Sequence, residues 1–358
     1  MTNPDPPTGP LTGIADTIRR ATTVVPVGGR THWEVGGPVP TGTEVRAPGG
    51  VVEHDPAELT VTVGAGLRVG ALDAVLAASG QQCPLDPRDP NATVGGVLAT
   101  GLSGYRRLRY GPVRNRLLEV HFVAGDGRLV KGGGRTVKNV SGYDLARLLV
   151  GSLGTLGVIV QVTLRCEPLP AESQWLHVDC AGAEALQRAF RPSAIVVGAH
   201  GTRVLVEGRR EDVAAESARL GGEAVGGAPS WPSGPHRGRI AVRPARVDDL
   251  VAALTERGIA AVGEAGVGTV HVAAATVGDL EAARRLARTF GGWLLREAGG
   301  DPTEDGFGVA LPSAPIMRRI HAAFDPEGKC NPGRIPLDAP SPVEVDTRHE
   351  RHVEVSGP

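Results

Sequence analysis

The stretch from Lys138 to Pro168, KNVSGYDLARLLVGSLGTLGVIVQVTLRCEP, decides the fold of this chain. A short amphipathic segment, Asp144 to Val150, leads into three glycines between positions 151 and 157 and then into the apolar, β-branched run Val158 to Leu164. This order predicts a helix, a tight turn and a buried strand. Glycines this dense are typical either of a tight connection in an α/β core or of a backbone that a ligand approaches closely. The stretch alone leaves both interpretations open.

The composition is that of an ordinary globular protein of 358 residues, long enough for two or three domains. A net charge of −1 argues against nucleic-acid binding. No apolar run reaches 18 residues, so we expect no membrane span and a cytoplasmic location. The 51 glycines and only 3% aromatic residues predict many tight turns and a binding site made largely of backbone.

Cysteine and histidine spacing predicts no metal site. None of the cysteines forms a C-x-x-C pair, so neither a zinc nor an iron–sulfur site is expected, and four free thiols in a reducing compartment are. The cysteines are Cys83, Cys166, Cys180 and Cys330. His200, His271 and His321 are not at metal-ligand spacing, and we expect them to be ordinary core or surface histidines.

The first glycine cluster follows a predicted helix over 11–21 and a predicted strand over 23–27. It reads Gly28-Gly29-Arg30-Thr31. A strand, two glycines and a hydroxyl residue are typical of a nest of backbone N–H groups that holds an anion such as phosphate, although glycine pairs after strands also form plain turns. The cluster matches neither the P-loop nor the dinucleotide fingerprint. Short strands over 43–47, 51–54 and 59–63 and a helix over 69–78 come next.

The second cluster runs from Pro84 to Gly104, and its Thr93-Val94-Gly95-Gly96 segment predicts the start of a helix. We expect the first N–H groups of that helix to face a ligand. The segment Tyr105 to Tyr110, YRRLRY, is compatible with nucleic acid, with a solvated loop, or with a ligand or partner contact. The neutral net charge and the adjacent glycines favour a ligand or partner. An Asp126-Gly127 turn then predicts a hairpin between strands 117–123 and 128–131.

Strand–helix alternation over 171–315 predicts a second, α+β domain with an antiparallel sheet backed by helices. The expected strands are 175–179, 194–198, 203–207, 240–242 and 269–272, and the expected helices are 184–190, 211–220, 247–256 and 277–290. Gly226 to Gly238 is rich in proline, glycine and serine, which predicts a loop. A helix is expected over 316–324. Residues 1–10 and 337–358 are predicted to be disordered tails.

Four segments in fixed order carry a resemblance to a known family. They are VPVGGRT (25–31), ATVGGVLATGLSG (92–104), GYDLARLLVGSLGTLGVI (142–159) and FDPEGKCNPGR (324–334). Together they resemble the FAD-binding domain of the vanillyl-alcohol oxidase/p-cresol methylhydroxylase (PCMH) superfamily. The segments GLSGYRRLRYGPVR (101–114) and VKNVSGYDL (137–145) look like the E-type FAD-binding subunit of glycolate oxidase.

The resemblance implies a two-subdomain, PCMH-type FAD-binding domain over 11–170, a cap domain over 171–315, and a C-terminal segment, 316–336, that returns to the flavin. It also implies a set of FAD-binding residues: Val27, Gly28, Gly29, Arg30, Thr31, Pro84, Thr93, Gly95, Gly96, Gly101, Ser103, Gly104, Gly154, Gly157, Val158, Ile159 and Asn331. A pyrophosphate needs backbone N–H donors and a flat ring needs close apolar walls, which agrees with the residues themselves.

Two departures from the superfamily matter. Many relatives tether FAD through a histidine of the first loop, whereas His32 here follows the expected position by one residue, so non-covalent FAD is expected. The histidine-rich metal and substrate site of the related 2-hydroxy-acid dehydrogenases has no counterpart in this sequence, which puts independent substrate oxidation in doubt.

The resemblance implies a glycolate oxidase or dehydrogenase type of complex, with a second flavoprotein subunit and an iron–sulfur subunit as partners, through which the chain would associate with a membrane. Arg106, Arg109 and Arg334 are candidates for binding a 2-hydroxy-acid carboxylate, and Tyr143 for assisting proton removal. The alternatives are an accessory flavin-carrying subunit without its own substrate site, and a stand-alone FAD oxidoreductase with another substrate.

Overall fold

The computed structural model describes residues 10–134, 144–301 and 305–337. The helices of its first part are α1 (Pro10–Arg20), α2 (Val69–Ala77), α3 (Val94–Thr100), α4 (Arg107–Tyr110) and α5 (Leu145–Leu149). The strands of that part are β1 (Val24–Pro26), β2 (Thr43–Val45), β3 (Val51–Asp55), β4 (Thr60–Gly64), β5 (Gln81–Gln82), β6 (Leu117–Val123), β7 (Leu129–Gly133), β8 (Val158–Arg165) and β9 (Glu167–Pro168).

Strand β8 is central in a five-stranded antiparallel sheet of order β3-β4-β8-β6-β7. It packs in two cores: Val158 and Val160, at its start, pack with α1 and β1, whereas Val162 and Leu164, nearer its end, pack with α2 and α3. Burial on both faces explains why the strand is an unbroken apolar run. The helix, turn and strand predicted for 144–164 are confirmed, and residues 138–143 of that stretch lie outside the described ranges.

The second part has the strands β10 (Glu172–Val178), β11 (Ala194–Gly198), β12 (Gly201–Gly208), β13 (Glu223–Val225), β14 (His236–Ala241), β15 (Ala260–Glu264), β16 (Thr269–Ala274) and β17 (Trp293–Ala298). Its helices are α6 (Gly182–Arg188), α7 (Arg210–Leu220), α8 (Val247–Thr255) and α9 (Val277–Thr289), followed by α10 (Ala314–Phe324). The strands form one antiparallel sheet of order β13-β10-β12-β11-β15-β16-β14-β17. Helices α6 to α9 pack on one face of it. The α+β fold class is confirmed.

Three strands of this sheet, β13, β15 and β17, were not predicted. Strand β13 is a three-residue edge strand, and β15 reads AAVGE, in which alanine and glycine give little strand signal. Strand β17 follows a glycine pair and contains Arg296 and Glu297, so its sequence lacks a simple alternation. The loop predicted up to Gly238 is wrong at its end, because β14 already begins at His236.

Helix α10 returns the chain to the first part. Ile320 and Phe324 pack against the larger core there, and the Phe324 ring meets Phe122 edge-to-face at 5.4 Å between centroids. The Asp325 carboxylate accepts the backbone N–H of Cys330 at 2.7 Å, and Asn331 N–H donates to the carbonyl of Val24 at 2.8 Å. The C-terminal motif therefore closes against β1. The tail predictions fall almost entirely outside the described residues, and the domain bounds stay predictions.

Candidate functional site

A groove lined by glycines and small side chains lies where three segments of the first part meet. Its walls come from the loop after β1, from the start of α3 and from the turn before β8. Two adjoining pockets share Pro26, Gly28, Thr93, Gly96, Ala99 and Gly154 and form this continuous feature, which we call the glycine groove. The three glycine clusters of the sequence thus converge on one site.

Close approach of the walls explains why position 28 has to be glycine. A Cβ at Gly28 would overlap the Oγ1 oxygen of Thr93, the residue that caps α3. Gly154 has φ of +74°, and a Cβ there would press on the ring of Pro26 at 3.0 Å. Larger residues at either position would push the loops apart and change the shape of the groove.

Three non-glycine residues that line the groove have left-handed backbone: Arg30 (φ 57°), Leu153 (φ 51°) and Asn331 (φ 48°). A left-handed conformation costs roughly 1–2 kcal/mol for an L-residue, most for a branched one such as Leu153. Strain of this kind clusters at binding and active sites, where the surrounding structure holds it in place. Their convergence supports a ligand-binding role for the groove.

Several polar groups of the groove have no protein partner within the described part of the chain. The amide N–H groups of residues 28–31 meet no acceptor there. The buried Oδ1 of Asn331 and Nε of Arg334 also have none. An unsatisfied buried polar atom costs about 1–3 kcal/mol, so the two buried atoms favour a ligand that offers both a donor and an acceptor. The amides of residues 28–31 lie nearer the surface and are open to an anion.

The expectation for the N-terminus of α3 is wrong. Its first N–H groups are all satisfied by protein: Val94 donates to the carbonyl of Leu67, Gly95 to that of Ala65, and Gly96 to Thr93 Oγ1 at 3.2 Å. The reason is the same close packing that requires small residues, since Gly95 lies against the backbone that follows β4. The open N–H donors are therefore those of the first glycine cluster.

The structure places most of the predicted FAD-binding residues in the groove lining. These are Val27, Gly28, Gly29, Arg30, Thr31, Thr93, Gly95, Gly96, Gly154, Gly157, Val158, Ile159 and Asn331. Pro84, Gly101, Ser103 and Gly104 are not among the lining residues. Gly101 ends α3 in a left-handed conformation, and Ser103 Oγ accepts the N–H of Val113 at 3.2 Å.

Sequence reasoning missed part of the lining. Val45, Ala47, Ala65 and Gly66 contribute a small-residue wall, and Leu153 with Trp33 closes the other end. A signal was present for part of the wall: β4 ends at Gly64 and is followed by Ala65 and Gly66, small residues that leave room beside a strand. Nothing in the sequence indicated that these strand ends meet the turn before β8.

Arg106 and Arg109, two of the arginines predicted as catalytic, lie outside the groove and are bound by protein groups. The Arg106 guanidinium forms a two-point ion pair with Asp86, through Nε at 2.9 Å and Nη2 at 2.5 Å, and Nη1 lies 3.4 Å from Glu207. Burial lowers the pKa of Arg106, but the hydrogen bond and charge of Asp86 outweigh it and raise the pKa. Arg109 donates to the Glu207 carbonyl oxygen at 2.7 Å. Both residues tie the first part to the eight-stranded sheet.

Arg334, in contrast, lines the groove. Its Nη1 donates to the carbonyl of Gly37 at 2.9 Å and its Nη2 to that of Trp33. Its buried Nε has no acceptor among the described residues. Burial lowers the pKa of Arg334 to about 10, a value at which it still stays charged at neutral pH. Tyr143 lies outside the described residues. The catalytic roles of all four residues stay predictions.

Comparisons with known proteins agree with this geometry. Residues 14–133 match the family model described as an FAD binding domain. The chain is 31% identical over 350 residues to the glycolate oxidase subunit GlcE of Escherichia coli, covering 91% of this chain and 96% of that protein. The chain belongs to the PCMH-type FAD-binding oxidoreductases, in the family of GlcE.

Other members of this flavoprotein family match only in part. The D-lactate dehydrogenase of Archaeoglobus fulgidus is 44% identical over 117 residues, which is 33% of this chain and 26% of that enzyme. The glycolate oxidase subunit GlcD of Bacillus subtilis is 33% identical over 127 residues, or 35% and 27% of the two chains. Alkyldihydroxyacetonephosphate synthase has a similar fold, with a TM-score of 0.62 at 16% identity over 89% of this chain and 74% of that one.

FAD fits the glycine groove. The open amides and the orphaned Arg334 Nε are donors of the kind a pyrophosphate and a flavin carbonyl need, and the orphaned Asn331 Oδ1 is an acceptor. Over the described ranges, no helix is long and apolar enough to cross a membrane, and no cluster of three or more histidine, cysteine or acidic side chains could hold a metal ion. All four cysteines are free thiols, as predicted.

Proposed function

We propose that this flavoprotein is the FAD-binding subunit of a glycolate oxidase type of complex that oxidises 2-hydroxy acids, with glycolate to glyoxylate as the reaction. The observation that carries the proposal is the glycine groove, whose open amides and orphaned polar atoms suit FAD in a chain that matches GlcE over nearly its whole length. GlcD and D-lactate dehydrogenases are related over about a third of this chain, and their names point to the same substrate class.

Different residues of the groove would hold different parts of FAD. The amides of residues 28–31 would hold the pyrophosphate. Val45, Ala47 and Ile159 supply apolar walls for a flat ring, and Asn331 and Arg334 supply the polar atoms at the other end of the groove. FAD supplies a two-electron acceptor when it is bound. We propose that it is bound non-covalently.

The proposed partners are a GlcD-type second flavoprotein subunit and an iron–sulfur subunit, and the proposed location is cytoplasmic, with membrane association through these partners. Support comes from the subunit names of the two glycolate oxidase relatives. Co-purification of the chain with these subunits from its native source, followed by mass spectrometry, tests the assembly. Recovery of the chain only as a fully active single protein would contradict it.

A second candidate is an accessory flavin-carrying subunit without its own substrate site. The observation that favours it is that Arg106 and Arg109, two of the three arginines predicted to bind substrate, are already held by Asp86 and Glu207.

One anaerobic titration separates the two candidates. The FAD-loaded chain is mixed with glycolate or with D-lactate, and the visible absorbance of the flavin is followed. Bleaching by either acid shows that this chain oxidises a 2-hydroxy acid itself. A chain that stays yellow alone, and also when GlcD-type and iron–sulfur subunits are added, would contradict the proposed activity; bleaching only in the assembled complex would favour the accessory role.

A further inference from the structure

The face of the eight-stranded sheet opposite its helices carries an unexpected group of charges. Along β14 to β17, apolar side chains point towards α8 and α9, while Arg239, Glu264, His271 and Glu297 alternate to the other face. That face packs against the first part of the chain. Apolar clusters flank the charges on both sides, one around Tyr105 and Val196 and the other around Leu102, Leu153 and Leu295.

The first part adds arginines to this group. Arg88 donates to His271 Nδ1 at 2.6 Å, forms an ion pair with Glu297 at 3.1 Å, and lies over the Trp231 ring at 4.6 Å from its centroid. The second ring nitrogen of His271 is 2.7 Å from Glu264 Oε1. Since Arg88 is a donor only, Nδ1 is the acceptor and Nε2–H donates to Glu264. We call Arg88, Arg107, Arg239, Glu264, His271 and Glu297 the interface cluster.

Three polar groups of the interface cluster have no partner among the residues that the structure describes. The Oε2 oxygen of Glu264, a residue only 2% exposed, has no hydrogen bond in the described structure. The guanidinium groups of Arg107 and Arg239 make neither a hydrogen bond nor an ion pair within 4 Å of a described residue, although their charges act on Glu264. A buried carboxyl oxygen and two unpaired cations are thus left in one place.

This arrangement is costly for a purely structural contact. An apolar patch would join two surfaces at least as well, since the desolvation of buried charges offsets their attraction. The cluster also has a surplus of positive charge, because three arginines face two carboxyls and one of these carboxyls is neutral. Burial raises the pKa of Glu264 to about 8, although the charges of Arg107, Arg239 and Arg88 act to lower it. Burial also keeps His271 neutral, because it lowers the pKa of that ring well below its usual range. A small anion would balance the surplus.

The interface cluster also borders the glycine groove. His32 lines the groove, and burial, followed by the charges of Arg88 and Arg237, lowers its pKa to about 4. Leu153, at the same end of the groove, belongs to one of the flanking apolar clusters. A molecule in the interface cluster would therefore lie close to the end of a ligand in the groove.

We propose that the interface cluster binds a small carboxylate whose neighbouring carbon carries an oxygen, with Arg107 and Arg239 holding the carboxylate and Glu264 Oε2 hydrogen-bonded to the neighbouring oxygen. This inference rests on the proposed function and places its substrate class on named residues other than Arg106, Arg109 and Arg334. His271 positions the Glu264 carboxyl through its bond to Oε1, and Arg88 acts only through His271.

Calorimetric titration of the FAD-loaded chain with oxalate, an unreactive probe of this chemistry, tests the proposal. Arg239→Gln is expected to weaken oxalate binding at least tenfold, on the order of one lost Arg–carboxylate contact. The matched control, Arg243→Gln, removes an exposed arginine just beyond the end of β14 and should leave oxalate affinity unchanged. No oxalate binding by the parent chain, or equal affinity in both variants, would overturn the inference.

A second variant keeps the test valid if Arg239→Gln fails to fold. Glu264 is neutral below its pKa of about 8, so oxalate affinity should fall as the pH rises through that value and the carboxylate begins to repel the anion. The groups that face it are Arg88, Arg107, Arg239, His271, Glu297 and Tyr105. Glu264→Gln should remove this pH dependence between pH 7 and 9 (about one unit either side of that pKa). A pH dependence that persists in Glu264→Gln would contradict the assignment.

The two proposals fail in different ways. A parent chain that does not bind FAD would contradict the proposed function. Normal FAD binding together with no effect of Arg239→Gln and Glu264→Gln on oxalate would contradict only the interface cluster as the carboxylate site. FAD affinity, measured by quenching of flavin fluorescence, should be the same in both variants as in the parent chain.

Discussion

The side-chain amide of Asn331 donates a hydrogen bond to the carbonyl oxygen of Leu153 at 2.6 Å, joining the C-terminal motif to the turn before β8 across 178 positions of sequence. Both residues have left-handed backbone, with φ of 48° and 51°. The bond leaves Asn331 Oδ1 buried, with no hydrogen-bond partner in the described part of the chain. One amide thus holds the groove closed and offers an acceptor to its ligand.

Replacing Asn331 should weaken FAD binding and lower stability. Asn331→Ala removes the amide and places alanine in a left-handed conformation, so we expect a loss of about 2 kcal/mol in the free energy of unfolding. Asn331→Gly removes the amide but tolerates the backbone, and should lose about 1 kcal/mol less than alanine does. Denaturant unfolding and FAD titration measure both effects. FAD affinity equal to that of the parent chain in both variants would show that the amide does not serve the ligand.

Gly28→Val should abolish the glycine groove as an FAD site. The added side chain would overlap Thr93 Oγ1 and displace the loop whose amides are open, so FAD affinity should fall at least tenfold (about 1.4 kcal/mol). Gly226→Val is the matched control, because Gly226 is exposed, has open space around its Cβ position and lies far along the sequence from the groove. Similar FAD affinities for the two valine variants, measured by flavin fluorescence, would argue against the site.

Arg106 should contribute to stability through its carboxylate partners. Arg106→Met leaves Asp86 without its two-point partner and removes the ion pair of Glu207 with Arg106. These losses should cost about 3 kcal/mol in the free energy of unfolding. Arg106→Lys keeps the positive charge but not the two-point contact with Asp86, and should recover part of the lost stability. Thermal unfolding compares the two variants. Unchanged stability in Arg106→Met with lost turnover in the complex would instead favour the predicted catalytic role.

Stability should depend on pH through Glu264. The native pKa of about 8 lies above the ordinary value of 4.5, so the native state binds the extra proton between these values. The stabilisation is fully present below pH 4.5 and is lost as the pH rises towards 8, by at most about 1.4 kcal/mol per pH unit. In Glu264→Gln this contribution is absent. The difference in unfolding free energy between variant and parent should therefore shift in favour of Glu264→Gln from pH 5 to pH 8 (about the window between the two pKa values); a constant difference would contradict the raised pKa.

The sequence predicted local features better than long-range contacts. The run Val158 to Leu164 and the Asp126-Gly127 turn identify a strand and a hairpin because their signals lie within a few residues. The glycine clusters also predicted the groove, since close packing of backbone requires glycine wherever it occurs.

The interface cluster could not be predicted in the same way. Glu264 and Arg88 are 176 positions apart in the sequence. The residues around His271 form an ordinary strand pattern, and nothing in that pattern singles the histidine out. Only the pairing of β14, β15 and β16 brings Arg239, Glu264 and His271 to one face. The alternation in the strand TVHVAA puts His271 opposite the helix-facing valines, but this pattern does not say what covers that face. The satisfied N–H groups of α3 also depend on such a contact, with the backbone after β4.

Whether the glycine groove holds FAD is tested by the visible spectrum of the purified chain before and after acid precipitation. We expect a yellow protein, or a colourless one that turns yellow with added FAD, whose flavin is released into the supernatant by acid because it is bound non-covalently. Flavin that stays with the precipitate would contradict the non-covalent state. A colourless chain that cannot be reconstituted with FAD would show that the glycine groove is not an FAD site.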